Sequence, residues 1–201
     1  MALLSPRRSW QHGYPDVVDL ALQGRTAVLG RDDSLGEACA RLLSAEGVAI
    51  LDRSRATEAD IIVAWGPRRP ESRLMDIGAA AELQVTWDAV VSAVEAYREA
   101  LSRMRERQWG RFVWVGSAAA KSLDADGDEL DVIASLGMMG LHKVIAAEEG
   151  PFQVTANTVL RGELAADDDV AAAVTFFCSE GAAYLSGVTI TVDGGQSSAV
   201  F

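Results

Sequence analysis

"LQGRTAVLGRDDSLGEACARLLSAEG", residues 22–47, joins a short apolar run to an Ala-rich amphipathic one across a glycine-containing turn. The run 25–30 reads as a buried strand, since a brief apolar stretch bounded by turn residues fits a strand covered on both faces. The segment 34–47 reads as a helix that stops at Gly47. A strand that feeds a helix this way opens a parallel sheet with helices packed on its faces.

The same rhythm continues along the chain. "VAILD" (48–52) and "DIIVAWG" (60–66) are predicted strands, followed by a long helix over 86–108 with Val90, Val94, Tyr97, Leu101 and Met104 on one face. "RFVWVGS" (111–117) is the next strand, 129–149 a strongly apolar helix, 153–160 a strand, 167–180 a helix and 187–195 a last strand. Residues 1–23, polar and holding Pro6, Gly13 and Pro15, are expected to form an irregular arm, with 24–201 as a single α/β domain.

The totals narrow the function. A net charge of −11 argues against nucleic acid, because phosphate binding needs a basic face, and the arginines come singly or in pairs such as Arg7-Arg8 and Arg68-Arg69. Cys39 and Cys178 both fall in helix-like segments and read as buried thiols of a reducing compartment; with only His12 and His142 besides, no metal constellation is expected. The first residues lack the long apolar region of a secretory signal, and His142-Lys143 interrupts the most apolar stretch. No membrane span and a cytoplasmic location are therefore expected.

Four segments resemble, in order, the short-chain dehydrogenase/reductase family: the opening unit 22–47, "WGRFVWVGSAAA" (109–120), "GLHKVIAAEEGPFQVTANTVLRG" (140–162) and "DVAAAVTFFCSEGAAYLSGVTITVDGG" (169–195). The last, ending in Val-Asp-Gly-Gly, is the strongest match. The resemblance covers roughly residues 22–196 and implies a Rossmann-type doubly wound parallel sheet.

It also exposes what is missing. Hydride transfer in the family uses a tyrosine as general acid/base, with a lysine four residues on that lowers the phenol's pKa; unassisted, a phenol near pKa 10 transfers protons poorly at neutral pH. Here those positions hold Asp131 and Ser135, and none of Tyr14, Tyr97 and Tyr184 is followed at that spacing by Lys121 or Lys143. Ser117 stands at the family's serine position and, without partners, reads as a strand-end hydroxyl satisfying backbone. The family's helix-borne asparagine, due near Ala93–Val94, is absent. Asp131 reads as a helix cap or dipole partner rather than a base.

The cofactor site, which the resemblance places at Gly30, Ser34, Leu35 and Gly36 of the turn and at Asp52, reads as vestigial; Asp52, ending the second strand, stands where an acid would hold a ribose hydroxyl and reads equally as a plain turn residue. Ser34 replaces the glycine that lets backbone approach the pyrophosphate, and Asp32 and Asp33 add negative charge. At about 6 Å and an effective dielectric near 20, each such charge pair costs on the order of 2–3 kcal/mol, offset in part by Arg31. Trp65 stands in the turn where the family keeps small residues beside the cofactor. Too few residues separate Asp52 from Asp60 for the family's intervening helix and strand, and Gly162 from Asp167 for its substrate lid.

The chain is thus expected to lack NAD(P) and turnover of its own. The apolar helix supplies a different task, since a helix apolar on every side is buried on every side. Gly137 and Gly140 flatten one flank for close approach. In the family this helix and the preceding long one pack between subunits. The leading expectation is a non-catalytic subunit that meets a homologous active subunit, which carries NAD(P), through helices 86–108 and 129–149 and the C-terminal region. The alternatives are an unorthodox oxidoreductase using Ser117 with Asp131, and a ligand- or nucleotide-binding regulator without turnover.

Overall fold

The computed structural model describes residues 20–66, 79–122 and 129–196. The arm expected over 1–23 lies outside them except at its end. There Leu22 is buried and the Leu20 carbonyl accepts the Glu180 N–H at 3.1 Å, so residues 20–23 pack with the domain.

Strands β1 (Thr26–Leu29), β2 (Ala49–Leu51), β3 (Ile61–Trp65), β4 (Gly110–Ser117), β5 (Val154–Arg161) and β6 (Thr189–Val192) form one sheet in the order β2-β1-β3-β4-β5-β6, with every pairing parallel. β3 to β5 are buried on both faces along nearly their whole length, which is why they read as continuous apolar runs rather than alternating ones. Helices α1 (Ser34–Ala45) and α4 (Asp167–Cys178) cover one face with a core of Cys39, Leu43, Ile61, Val113, Val174 and Phe177. Helices α2 (Ala79–Arg107) and α3 (Glu129–Glu149) cover the other with Tyr97, Met104, Phe112, Trp114 and Met138. Both cysteines are buried and unbridged. Burial pushes the Cys39 thiol up to about 12, and it raises that of Cys178 as well.

The short Asp52–Asp60 connection holds only a 3₁₀ helix, Arg53–Glu58, and β3 therefore pairs directly with β1. The long helix starts at Ala79 rather than at 86. Ala79, Ala80 and Ala81 carry high helix propensity, so the helix extends back through them. It ends where Gln108 turns into the left-handed region (φ 52°) and its side chain satisfies the Arg105 carbonyl.

The apolar helix spans the predicted residues, but it is not enclosed on every side. Leu130, Ala134, Ser135, Met138 and His142 face the sheet, whereas Ile133, Leu136 and Val144 stay 45–50% exposed. Residues 130–152 do have the length and apolarity of a membrane-crossing helix, contrary to the sequence expectation. In the fold this segment packs on β4 and β5, where its polar side chains are satisfied: His142 lies hydrogen-bonded between the Tyr97 and Thr158 hydroxyls, at 3.2 and 3.1 Å.

Two buried carboxylates that sequence reading missed fix α2 through partly exposed arginines. Asp60, fully buried at the start of β3, accepts from the Thr26 backbone and hydroxyl and pairs with Arg107 at 3.0 Å. Glu149, buried at the end of α3, meets Arg105 through two hydrogen bonds, the first at 2.7 Å.

Candidate functional site

In an open parallel sheet the ligand crevice forms at the C-terminal strand ends, where the chain departs to opposite sides of one strand. Here that point is β1, between β2 and β3. A cleft of about 390 Å³ lies there, lined by the turn after β1 (Arg31, Asp33, Leu35) and the end of β3 (Trp65, Gly66). Gly116, Ser117, Asp131, Arg161, Glu163 and Asp193 complete the wall. A second cavity of about 560 Å³ opens on the other face, between α2 and the 3₁₀ helix, over Val28, Ile62 and Ala64.

The fold brings Ser117, Ser135 and Asp131 together. Ser135 Oγ accepts the Ser117 backbone N–H at 3.1 Å and donates to Asp131 Oδ1 at 3.1 Å. The Ser117 hydroxyl accepts the Ala119 N–H at 3.2 Å, capping the short 3₁₀ helix after β4. Asp131 is not the cap of α3: the helix begins at Glu129, and the Asp131 carboxylate, one turn before Ser135 on the same face, receives that hydroxyl. The one proton of Ser135 is thereby committed.

This cluster holds a carboxylate and two hydroxyls, with no phenol and no ammonium. Of the described tyrosines, Tyr97 is buried against His142, where burial pushes its phenol above the ordinary range, the opposite of what an acid/base tyrosine needs. Tyr184 stands on the surface. Neither Lys121 nor Lys143 lines the cleft.

The cofactor-turn residues are tied up by their own neighbours. Gly30 donates its N–H to the Val63 carbonyl at 2.7 Å. Ser34 opens α1, and Leu35 and Gly36 are buried in its first turn. Asp33 is the N-cap: its Oδ1 accepts the Gly36 N–H at 3.1 Å, while Oδ2 pairs with Arg31 at 2.7 Å. Arg31 in turn donates to the Gly66 carbonyl at 2.8 Å, joining the turn after β1 to the end of β3. Gly36 must be glycine, since a Cβ there would lie 2.2 Å from the Arg31 carbonyl oxygen. Trp65 is buried against this turn, its Cζ2 3.4 Å from the same position, and its indole N–H finds no partner among the described residues. Asp52 lines neither cavity. It caps the 3₁₀ helix through the Ser54 N–H (2.9 Å) and hydroxyl (2.6 Å), bonds that hold its carboxyl below the usual range.

A dinucleotide needs free helix N–H groups, room for a pyrophosphate and an available cation. Here a carboxylate sits on the helix start, an indole packs over the turn, and both cleft arginines are engaged, Arg31 by Asp33 and Arg161 by Asp167 at 2.6 Å. The residues present do not fit the cofactor. Sequence reading treated Asp33 only as a repelling charge. Its place immediately before a helix was the signal for a cap. The pairing of Arg31 with Gly66 had no sequence signal, because it joins segments 35 residues apart.

No family model matches the chain. Nodulation protein G of Azospirillum brasilense is 27% identical over 139 residues, 54% of this chain and 56% of that protein. The 3-oxoacyl (acyl-carrier-protein) reductase FabG of Pseudomonas aeruginosa is 27% identical over 121 residues, 48% of this chain and 49% of the reductase. The chain thus spans about half the length of the curated relatives it matches. Among solved structures, a short-chain dehydrogenase/reductase family protein superposes with a TM-score of 0.77 at 23% identity, covering 87% of this chain and 97% of that one. A gluconate 5-dehydrogenase from Burkholderia cenocepacia, solved with NADP and tartrate, gives 0.73 at 17% identity, covering 88% and 96%.

Proposed function

We propose that the chain, which resembles the short-chain dehydrogenases/reductases in fold and, over about half its length, in sequence, is a non-catalytic subunit of such an enzyme. It assembles with a homologous active subunit into an NAD(P)-dependent dehydrogenase acting on a hydroxyacyl or ketone substrate. NAD(P) resides in the partner, and this chain stabilises that subunit or shapes its substrate pocket. The class of substrate rests on relatives such as FabG, whose name gives a 3-oxoacyl chain on a carrier protein.

The observation that carries this reading is the Ser117–Ser135–Asp131 cluster. The positions that would hold tyrosine and lysine instead hold two side chains bonded to each other. Support for assembly comes from the outer faces of α2 and α3, where Trp87, Val91, Ile133, Leu136 and Val144 are exposed around Gly137 and Gly140, at which an added Cβ would meet nothing within 4 Å. Apolar side chains gathered on adjoining helices are a feature of protein–protein surfaces. The C-terminal region is the second expected contact.

A second reading, a small-ligand regulator without turnover, is favoured by the cleft itself, whose volume falls within the range of small-molecule pockets. Native mass spectrometry of the protein purified from its own cells separates the two. A complex with a second chain of similar size that carries Tyr-x-x-x-Lys supports the subunit reading. Copies of this chain alone with a bound small molecule support the regulator and overturn the subunit.

A further inference from the structure

We infer that Asp33 is a built-in substitute for the phosphate ligand: its carboxylate occupies the start of α1 and, latched by Arg31 to the end of β3, holds the nucleotide end of the crevice shut. This concerns the chain alone and stands whether or not a partner subunit binds it.

Three observations converge. The carboxylate does at this helix start what a bound anion would do, accepting a backbone N–H of the first turn (Gly36, 3.1 Å) where the helix dipole favours negative charge. It also takes the cation: Arg31 lies 2.7 Å from Asp33 Oδ2, so the guanidinium that could serve a diphosphate is already neutralised. The pair is anchored as well, because the second arm of Arg31 donates to the Gly66 carbonyl, bridging the two strand ends between which a dinucleotide would cross. The arrangement is more than a charge that repels phosphate. It satisfies the same donors from within, so that an incoming anion would have to displace a tethered one at very high effective concentration.

The cleft reaches this point, since Arg31, Asp33 and Leu35 all line it. The tethered carboxylate and its arginine therefore stand, with the Trp65 indole beside them, between the cleft and the helix N–H groups. Removing the charge while keeping a cap should reopen the anion site without unfolding α1, because serine caps a helix nearly as well as aspartate.

The test compares the full chain with Asp33→Ser, Asp33→Gly and the double variant Asp33→Ser/Arg31→Ala. Each is titrated with inorganic pyrophosphate and with ADP at constant ionic strength, by calorimetry and by the shift in melting temperature. The expected result is no saturable binding by the parent and binding at least about tenfold tighter by both single Asp33 variants. In the double variant that gain is lost, because the freed arginine supplies the charge. Parent binding as tight as that of the single variants would overturn the proposal, as would no binding by any folded variant. Binding retained in full by the double variant would overturn the latch. Asp33→Gly guards against a serine hydroxyl that itself fills the site.

Discussion

Ser135 Oγ lies 3.1 Å from Asp131 Oδ1 and accepts the Ser117 backbone N–H at the same distance, so one hydroxyl ties the end of β4 to the first turn of α3. Ser117, Ser135 and Asp131 together serve as a structural joint. That joint depends on Gly116, where an added Cβ would fall 2.1 Å from Ser135 Oγ and 2.9 Å from its Cβ.

Gly116→Ala is accordingly expected to destabilise the fold by about 1–3 kcal/mol, the ordinary cost of overfilling a packed site. Urea denaturation measures it. An unchanged midpoint would mean that β4 and α3 do not approach as closely as this joint requires.

His142 sets an acid limit on stability. Burial, the dominant cause, lowers its pKa from the ordinary 6.5 to about 4, against a smaller opposing hydrogen bond with the Asn157 backbone. The unfolded chain therefore takes up a proton that the folded chain refuses. The contribution is fully present above about pH 6.5, and it is lost as the pH falls through about 4, amounting to about 3 kcal/mol. Unfolding free energies across pH 4–7 should show this slope, and His142→Gln, which can keep bonds to Tyr97 and Thr158, should flatten it. Parallel curves for the two proteins would refute the assignment.

Asp60 is fully buried, and its partners Arg107 and Arg103 come from the end of α2. Asp60→Asn keeps the shape and removes the charge, leaving both guanidiniums without their anion. Because those arginines are partly exposed and can turn to water, the expected loss is about 2–3 kcal/mol, below the value for a fully buried pair. A thermal melt showing no loss would contradict the role given to this pair.

Leu136 separates stability from assembly. Nearly half exposed on the outer face of α3, it makes little of the monomer's core. Leu136→Glu should leave unfolding free energy within about 0.5 kcal/mol while abolishing co-purification with a partner chain. If the complex survives unchanged, that face of α3 is not the contact.

The strand and helix order was legible because each element carries its own period, apolar runs for β3 to β5 and a spaced stripe for α2. The missing helix–strand unit was legible too, since nothing longer than a 3₁₀ helix fits between Asp52 and Asp60. The absence of a Tyr-x-x-x-Lys motif required only counting. In contrast, the start of α2 was placed at 86, although the alanine run at 79–81 carries the helix back to Ala79.

The sequence by itself determined the sheet, its flanking helices and the absence of any Tyr-x-x-x-Lys spacing, because these depend on residue type and local spacing. Only the tertiary structure decided what the remaining side chains do. Arg31 with Gly66, Ser117 with Ser135, and Asp60 with Arg107 are contacts across 18 to 47 residues. The same is true of α3: its apolarity showed in the sequence, but which face it turns to the sheet and which it leaves bare follows from how the helix lies on β4 and β5. Hydrogen bonds and ion pairs act over a few ångströms, and chain folding alone sets which distant residues come within that range.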